Sequence, residues 1–217
     1  MSTNLSLPGF AEENVITPDV DEPWLPTVSS PGTAAALAGA AVAAALLGGW
    51  AAPSFGVFTA ASAALLASAL AVLAFIDFKV HRLPDAIVLP LYGVFGLLNL
   101  LAAVTGEIGW DRFWTAAACS AGALVVYWVL AVLTGLGFGD VKLAGVLGMT
   151  LGVYGIWQVA LGTLLLPVSI GGVAAFGLLL LGRSGKDEMA FGPYIAAGAL
   201  LVLTVPQVTA LVSGQPV

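Results

Sequence analysis

Two aspartates stand at the edges of long apolar stretches: Asp77, which ends SALAVLAFID, and Asp140, inside GLGFGDVKLAG. Only 8% of the residues are charged, and an acid beside a hydrocarbon-spanning run costs free energy that packing alone does not require. Two carboxylates held together have a use for that arrangement. In a site of low dielectric they do not both ionise, so they share one proton across neutral pH. The ionised member draws a proton from water while the neutral member donates one to a carbonyl oxygen. Such a pair hydrolyses a peptide bond without a nucleophilic side chain or a metal. Gly135, Gly137 and Gly139 frame Asp140, and with no Cβ they let a substrate backbone come close. Which acid acts as base is not assignable, because such a pair titrates as a unit.

Each of these residues also has a plainer reading. Acids at span ends serve as interfacial residues that face water or pair with Lys or Arg. Asp85 rivals Asp77 as the first carboxylate, but it follows Leu83-Pro84 and reads as the N-cap of the helix that continues AIVLPLYG. Lys142 lies two positions after Asp140, off its helix face; it reads as an anchor at the lipid headgroups, with substrate fixing as the alternative. His81 reads as a solvated loop histidine. Cys119 is the single cysteine and lies in an apolar segment; it reads as a small buried side chain. One cysteine excludes a disulfide framework and a multi-cysteine zinc site, and we expect neither a metal nor a cofactor.

The elements that position these residues follow from composition. The 217 residues are 60% hydrophobic and the mean hydropathy is +1.05, so lipid is the solvent for most of the chain. Runs long enough to span about 30 Å of hydrocarbon fall at roughly 33–49, 54–76, 86–104, 113–134 and 194–213, and the stretch 143–181 holds two shorter spans broken around Gly152–Gly155. The expected class is all-α, a polytopic membrane protein of about seven helices, with six as the alternative count. Residues 1–32 contain five of the twelve acids, no Lys or Arg, and five prolines. They read as a disordered acidic tail ahead of one transmembrane domain, 33–217. That tail lacks the pattern of a secretory signal peptide, and six basic residues support no nucleic-acid partner.

Charge then orients the spans. A seven-helix count puts Lys79 and Arg82, Lys142, and Arg183 and Lys186 in loops on one side, with Arg112 opposite in TGEIGWDR. The positive-inside bias makes the first side, and the N-terminus, cytoplasmic. Asp77, Asp85, Asp140, Asp187 and Glu188 share that side, so Asp77 and Asp140 are expected at one depth on different helices.

Three segments carry a resemblance. IDFKVHRLPDAIVLP resembles the first catalytic segment of type IV prepilin peptidases, an Asp at a span end followed by a basic loop and Leu-Pro-Asp/Asn. GLGFGDVKLAGVLGMTLG is similar to that family's GxGD segment, and AFGPYIAAGAL to the Phe-Gly-Pro segment that opens its last helix. The resemblance implies a GxGD-class intramembrane aspartic protease in which Asp77 and Asp140 are the catalytic pair. Gly137, Phe138 and Gly139 complete the motif; Lys142 and Asp85 are candidate support. It further implies a bacterial inner-membrane enzyme that cleaves the basic leader from prepilin or pseudopilin precursors. The lone Cys119 contrasts with the paired CxxC motifs of members with a methylation domain, so the resemblance is to the short, peptidase-only form found with Flp/Tad-type pili, without methyltransferase activity. Two rival readings remain: a small transporter or channel using span-end carboxylates as a proton or cation relay, and an idle homologue acting as an assembly partner. A relay predicts acids at mid-span.

Overall fold

A chain in lipid satisfies its backbone polar groups within helices or closed barrels. The computed structural model describes residues 31–51, 56–80, 83–180 and 191–204, and every regular element in them is helical. The acidic tail, His81, Arg82, Arg183, Lys186, Asp187, Glu188 and the stretch beyond Thr204 lie outside the described residues.

Seven helical stretches follow one another: α1 Pro31–Ala51, α2 Val57–Val80, α3 Asp85–Val104, α4 Trp110–Thr134 and α5 Phe138–Leu151. Next, α6 starts as Ile156–Val159, passes through a π-helical turn, Ala160–Leu165, and continues as Leu166–Leu180; α7 is Gly192–Thr204. The expected break in 143–181 falls where it was read, with Gly152 closing α5 and Gly155, at φ +134°, opening α6. The second half of that stretch is a long helix rather than a short one. Among the described residues four helices are long and apolar enough to cross a membrane, Val57–Lys79, Asp85–Val104, Trp110–Thr134 and Ile156–Ala174, while Gly32–Ala43 and Gly192–Leu203 are shorter apolar helices. Large apolar side chains such as Leu97, Val132, Leu133 and Val173 are exposed on the outside, as in a helical bundle whose solvent is lipid.

The centre of the bundle is α5. Asp140, Val141, the whole run from Leu143 to Gly148, Thr150 and Leu151 are buried. A helix of 14 residues rises about 21 Å, short of the ~30 Å of hydrocarbon, and it is enclosed by other helices rather than facing lipid. Small residues bring α4 and α5 together. A Cβ on Gly148 would lie 2.6 Å from the Cys119 carbonyl oxygen, and one on Gly152 would lie 2.7 Å from the Ala116 Cα. Polar side chains fasten the same helix: Asn99 donates to the Met149 carbonyl at 2.9 Å and Ser120 to the Gly145 carbonyl at 2.8 Å. Such bonds between helices contribute about 0.6–2 kcal/mol each in a membrane. Cys119 thus packs at a close helix crossing.

One end of the bundle is closed by the segment between α3 and α4. The Glu107 carboxylate accepts from the Phe58 N–H at 2.9 Å and the Thr59 N–H at 3.3 Å, capping the start of α2. Arg112 donates to the Val153 carbonyl at 3.2 Å. Trp110, Trp114 and Trp157 are exposed at this same end, the pattern of an interfacial aromatic belt.

Candidate active site

Asp77 and Asp140 lie at the other end. Asp77 lies in the last turn of α2, and Phe58 to Asp77 is roughly 28 Å of helical rise, so it is a full helix length from Glu107. Asp140 lies in the first turn of α5. The two are 4% and 6% exposed. Expected at one depth on different helices, they are both buried at the same end of the bundle. Among the described residues Asp77, Asp85, Asp111 and Asp140 lie at helix ends and Glu107 in the loop between α3 and α4, and none stands at mid-span.

The two acids are held differently. The N-terminal end of a helix favours an acid and the C-terminal end disfavours one. Asp140 therefore sits well in α5, whereas Asp77 sits badly in α2. What offsets that is a third helix: the Gly192 N–H, at the start of α7, donates to Asp77 Oδ2 at 3.1 Å. Asp140 Oδ1 is buried and has no hydrogen-bond partner among the described residues. On α4 the buried Tyr127 hydroxyl donates to the Thr163 carbonyl in the π-helical turn of α6.

The supporting residues are brought together at this end. Gly137 precedes α5 in an extended conformation, and a Cβ there would lie 3.7 Å from Asp140 Oδ2. Gly139 has no such room, since a Cβ would meet the Leu83 Cβ at 2.9 Å. The Leu-Pro-Asp and GxGD segments therefore pack directly on one another. Phe138 is exposed, as is Phe78 beside Asp77. Lys142 donates to both oxygens of Asp85, at 2.7 and 2.6 Å, and its carbonyl accepts from the Tyr92 hydroxyl at 2.7 Å.

The capping role expected of Asp85 is corrected here. Pro84 is the N-cap, no side chain caps that end, and Asp85 is the first helical residue. Its carboxylate is taken by Lys142 instead, so Lys142 is an intramolecular partner before it is a headgroup anchor. Gly192, which holds Asp77, had no role of its own in the sequence and was visible only as part of the Phe-Gly-Pro segment. Among the described residues no three His, Cys, Asp or Glu side chains gather as a metal site.

Comparison with known proteins bears on this geometry. The model of the type IV leader peptidase family matches residues 64–176, which include Asp77, Asp140 and the GxGD segment. The chain belongs to this family. As a type IV leader peptidase family member it is similar to the prepilin leader peptidase/N-methyltransferase of Stutzerimonas stutzeri, 34% identical over 174 residues that make up 76% of this chain and 57% of that protein. The protein of the same name from Pseudomonas aeruginosa is 33% identical over 183 residues, 77% of this chain and 58% of that one. The one from Aeromonas salmonicida is 35% identical over 154 residues, 65% and 48% respectively. The chain thus spans about half the length of the curated relatives it matches. No solved structure matches it. Family and helices together make it a multi-pass membrane protein.

Proposed function

We propose that this chain is an aspartic endopeptidase that removes the basic leader from prepilin-like or pseudopilin-like precursors, with Asp77 and Asp140 as the catalytic pair. The observation that supports the reading is the burial of these two carboxylates, carried on separate helices, at one end of the bundle. Water attacks the scissile carbonyl carbon; the ionised carboxyl takes its proton while the neutral one protonates the carbonyl oxygen. One carboxyl then gives a proton to the amide nitrogen as the C–N bond breaks. The other takes one from a hydroxyl of the tetrahedral diol as the carbonyl re-forms, so the pair recovers its single shared proton. No step calls for a cofactor.

The other motif residues support this chemistry. Gly139 lets the Leu83 segment close over the start of α5. Exposed Phe138 and Phe78 offer apolar contact to the hydrophobic helix that follows a leader. The Lys142–Asp85 ion pair ties α3 to α5 beside the dyad. With Lys79 and Lys142 at the dyad end, the positive-inside bias puts that end and the N-terminus in the cytoplasm of a bacterial inner membrane, where a basic leader remains. Lipid is the other partner of the outer surface, and a Flp/Tad-type pilin is the substrate that the resemblance to short members favours. A relay has less support, since none of the acids in view stands at mid-span.

Co-expression with an epitope-tagged prepilin tests the reading directly. Asp77→Asn and Asp140→Asn are each expected to leave the precursor at full length on a gel while the protein still accumulates in membranes. Mature-size pilin in either variant removes that aspartate from the mechanism.

A further inference from the structure

We propose that Gly192 is a positioning residue for Asp77: its backbone N–H holds one carboxylate oxygen, and its lack of a Cβ is what lets α7 reach it. The inference rests on the reading of Asp77 as catalytic. Three observations converge on it. First, Asp77 lies in the last turn of α2, where the helix end disfavours a carboxylate, and the Gly192 N–H is a donor that α7 leaves unpaired within itself. The bond joins residues 115 positions apart. Second, a Cβ on Gly192 would lie 2.5 Å from Asp77 Oδ2, 2.9 Å from its Cγ and 3.3 Å from its Cβ. Every residue except glycine collides with the side chain it would have to hold.

Third, α7 has no freedom to move away. A Cβ on Gly198 would meet Pro167 Cδ at 2.6 Å and the Gly162 carbonyl oxygen at 2.7 Å, so α7 is seated tightly on α6. Ile195 and Ala199 are fully buried. Phe191 and Tyr194, at the same helix start, pack with ring centroids 6.4 Å apart. The chemical consequence concerns which oxygen works. The N–H donated to Oδ2 occupies one of its lone pairs and stabilises negative charge there, so a proton taken up by Asp77 is favoured on Oδ1. Gly192 therefore biases which oxygen of Asp77 exchanges protons, without itself touching substrate.

The test uses the full chain reconstituted in lipid vesicles and a fluorogenic peptide carrying a basic leader, a glycine and the first turns of an apolar helix. Gly192→Ala is expected to lower kcat about 100-fold, the scale of a 1 Å misplacement, with KM within about threefold, as for an interaction made only in the transition state. Val202→Ala removes buried packing from the same helix away from Asp77 without pushing it off α6. It is expected to reduce the amount of folded protein while leaving kcat per folded molecule within about threefold. Wild-type kcat in Gly192→Ala, or the same kcat loss in Val202→Ala, overturns the inference. Should Gly192→Ala accumulate poorly, the pair Asp77→Ala/Gly192→Ala is expected to accumulate like Asp77→Ala alone, because the colliding oxygen is gone; no such recovery overturns it equally. An active Gly192→Ala beside an inactive Asp77→Asn rejects this inference alone, whereas an active Asp77→Asn rejects the catalytic reading beneath it.

Discussion

At the scale of single residues, the site contrasts a shielded pair with an exposed one. Asp77 and Asp140 are enclosed by protein, where each carboxyl oxygen and each donor counts for more than it would in water. Asp85 and Lys142 face outward, with side chains 54% and 34% exposed, and an ion pair of that kind contributes roughly 0–1 kcal/mol. Asp85→Asn is therefore expected to retain most of the leader-cleaving activity and to shift thermal stability only slightly, by the same co-expression gel and a melting curve in detergent. Complete loss of cleavage would mean that Asp85, not Asp77, is the first acid. The sequence reading of Asp85 as a cap failed for a local reason: Pro84, fixed in φ and lacking an N–H, already ends the preceding segment in an extended conformation. The carboxylate was left free for a partner 57 positions away.

Among the elements, α5 carries the most consequence because it holds Asp140 in its first turn and closes at Gly152, at the far end of the bundle. Its glycines have a packing role that the motif alone did not disclose. Gly148 and Gly152 hold α5 against Ala116, Cys119 and Ser120 of α4, and the axial position of Asp140 follows from that contact. Gly148→Ala places a methyl group against backbone rather than against a side chain that can turn away. Overpacking of this kind costs about 1–3 kcal/mol, and the expected result is a lower unfolding midpoint together with reduced cleavage. An unchanged midpoint would show that the α4–α5 crossing has slack. The break before α6 was legible from Gly152–Gly155, since a left-handed residue such as Gly155 has no place within a helix. The π-helical turn was not legible. Its Thr163 carbonyl is oriented toward Tyr127, and nothing in ALGTLL marks that.

For the molecule as a whole, the two ends have different chemistry. One holds the dyad, Lys79, Lys142 and the exposed Phe78 and Phe138; the other holds Glu107, Arg112 and a set of exposed tryptophans. The proposed orientation predicts opposite accessibility of these ends. In a Cys119→Ala background, Thr105→Cys is expected to react with a membrane-impermeant thiol reagent in intact spheroplasts. Lys79→Cys is expected to react only after the cells are opened. The reverse pattern would invert the topology and put the dyad on the wrong side for a leader retained in the cytoplasm.

What the residues determined by themselves is local in origin. Apolar runs in lipid become helices because each backbone group must find a partner within its own segment, so the number and rough bounds of the helices, and the placing of Asp77 and Asp140 at helix ends, follow from hydropathy read along the chain. Which groups touch was decided only by tertiary packing. Gly192 against Asp77, Lys142 against Asp85 and Tyr127 against Thr163 join positions 36 to 115 residues apart. Such contacts depend on how closely whole helices approach, a matter of a few ångströms set by glycines and small side chains on other faces, which no single stretch of sequence encodes.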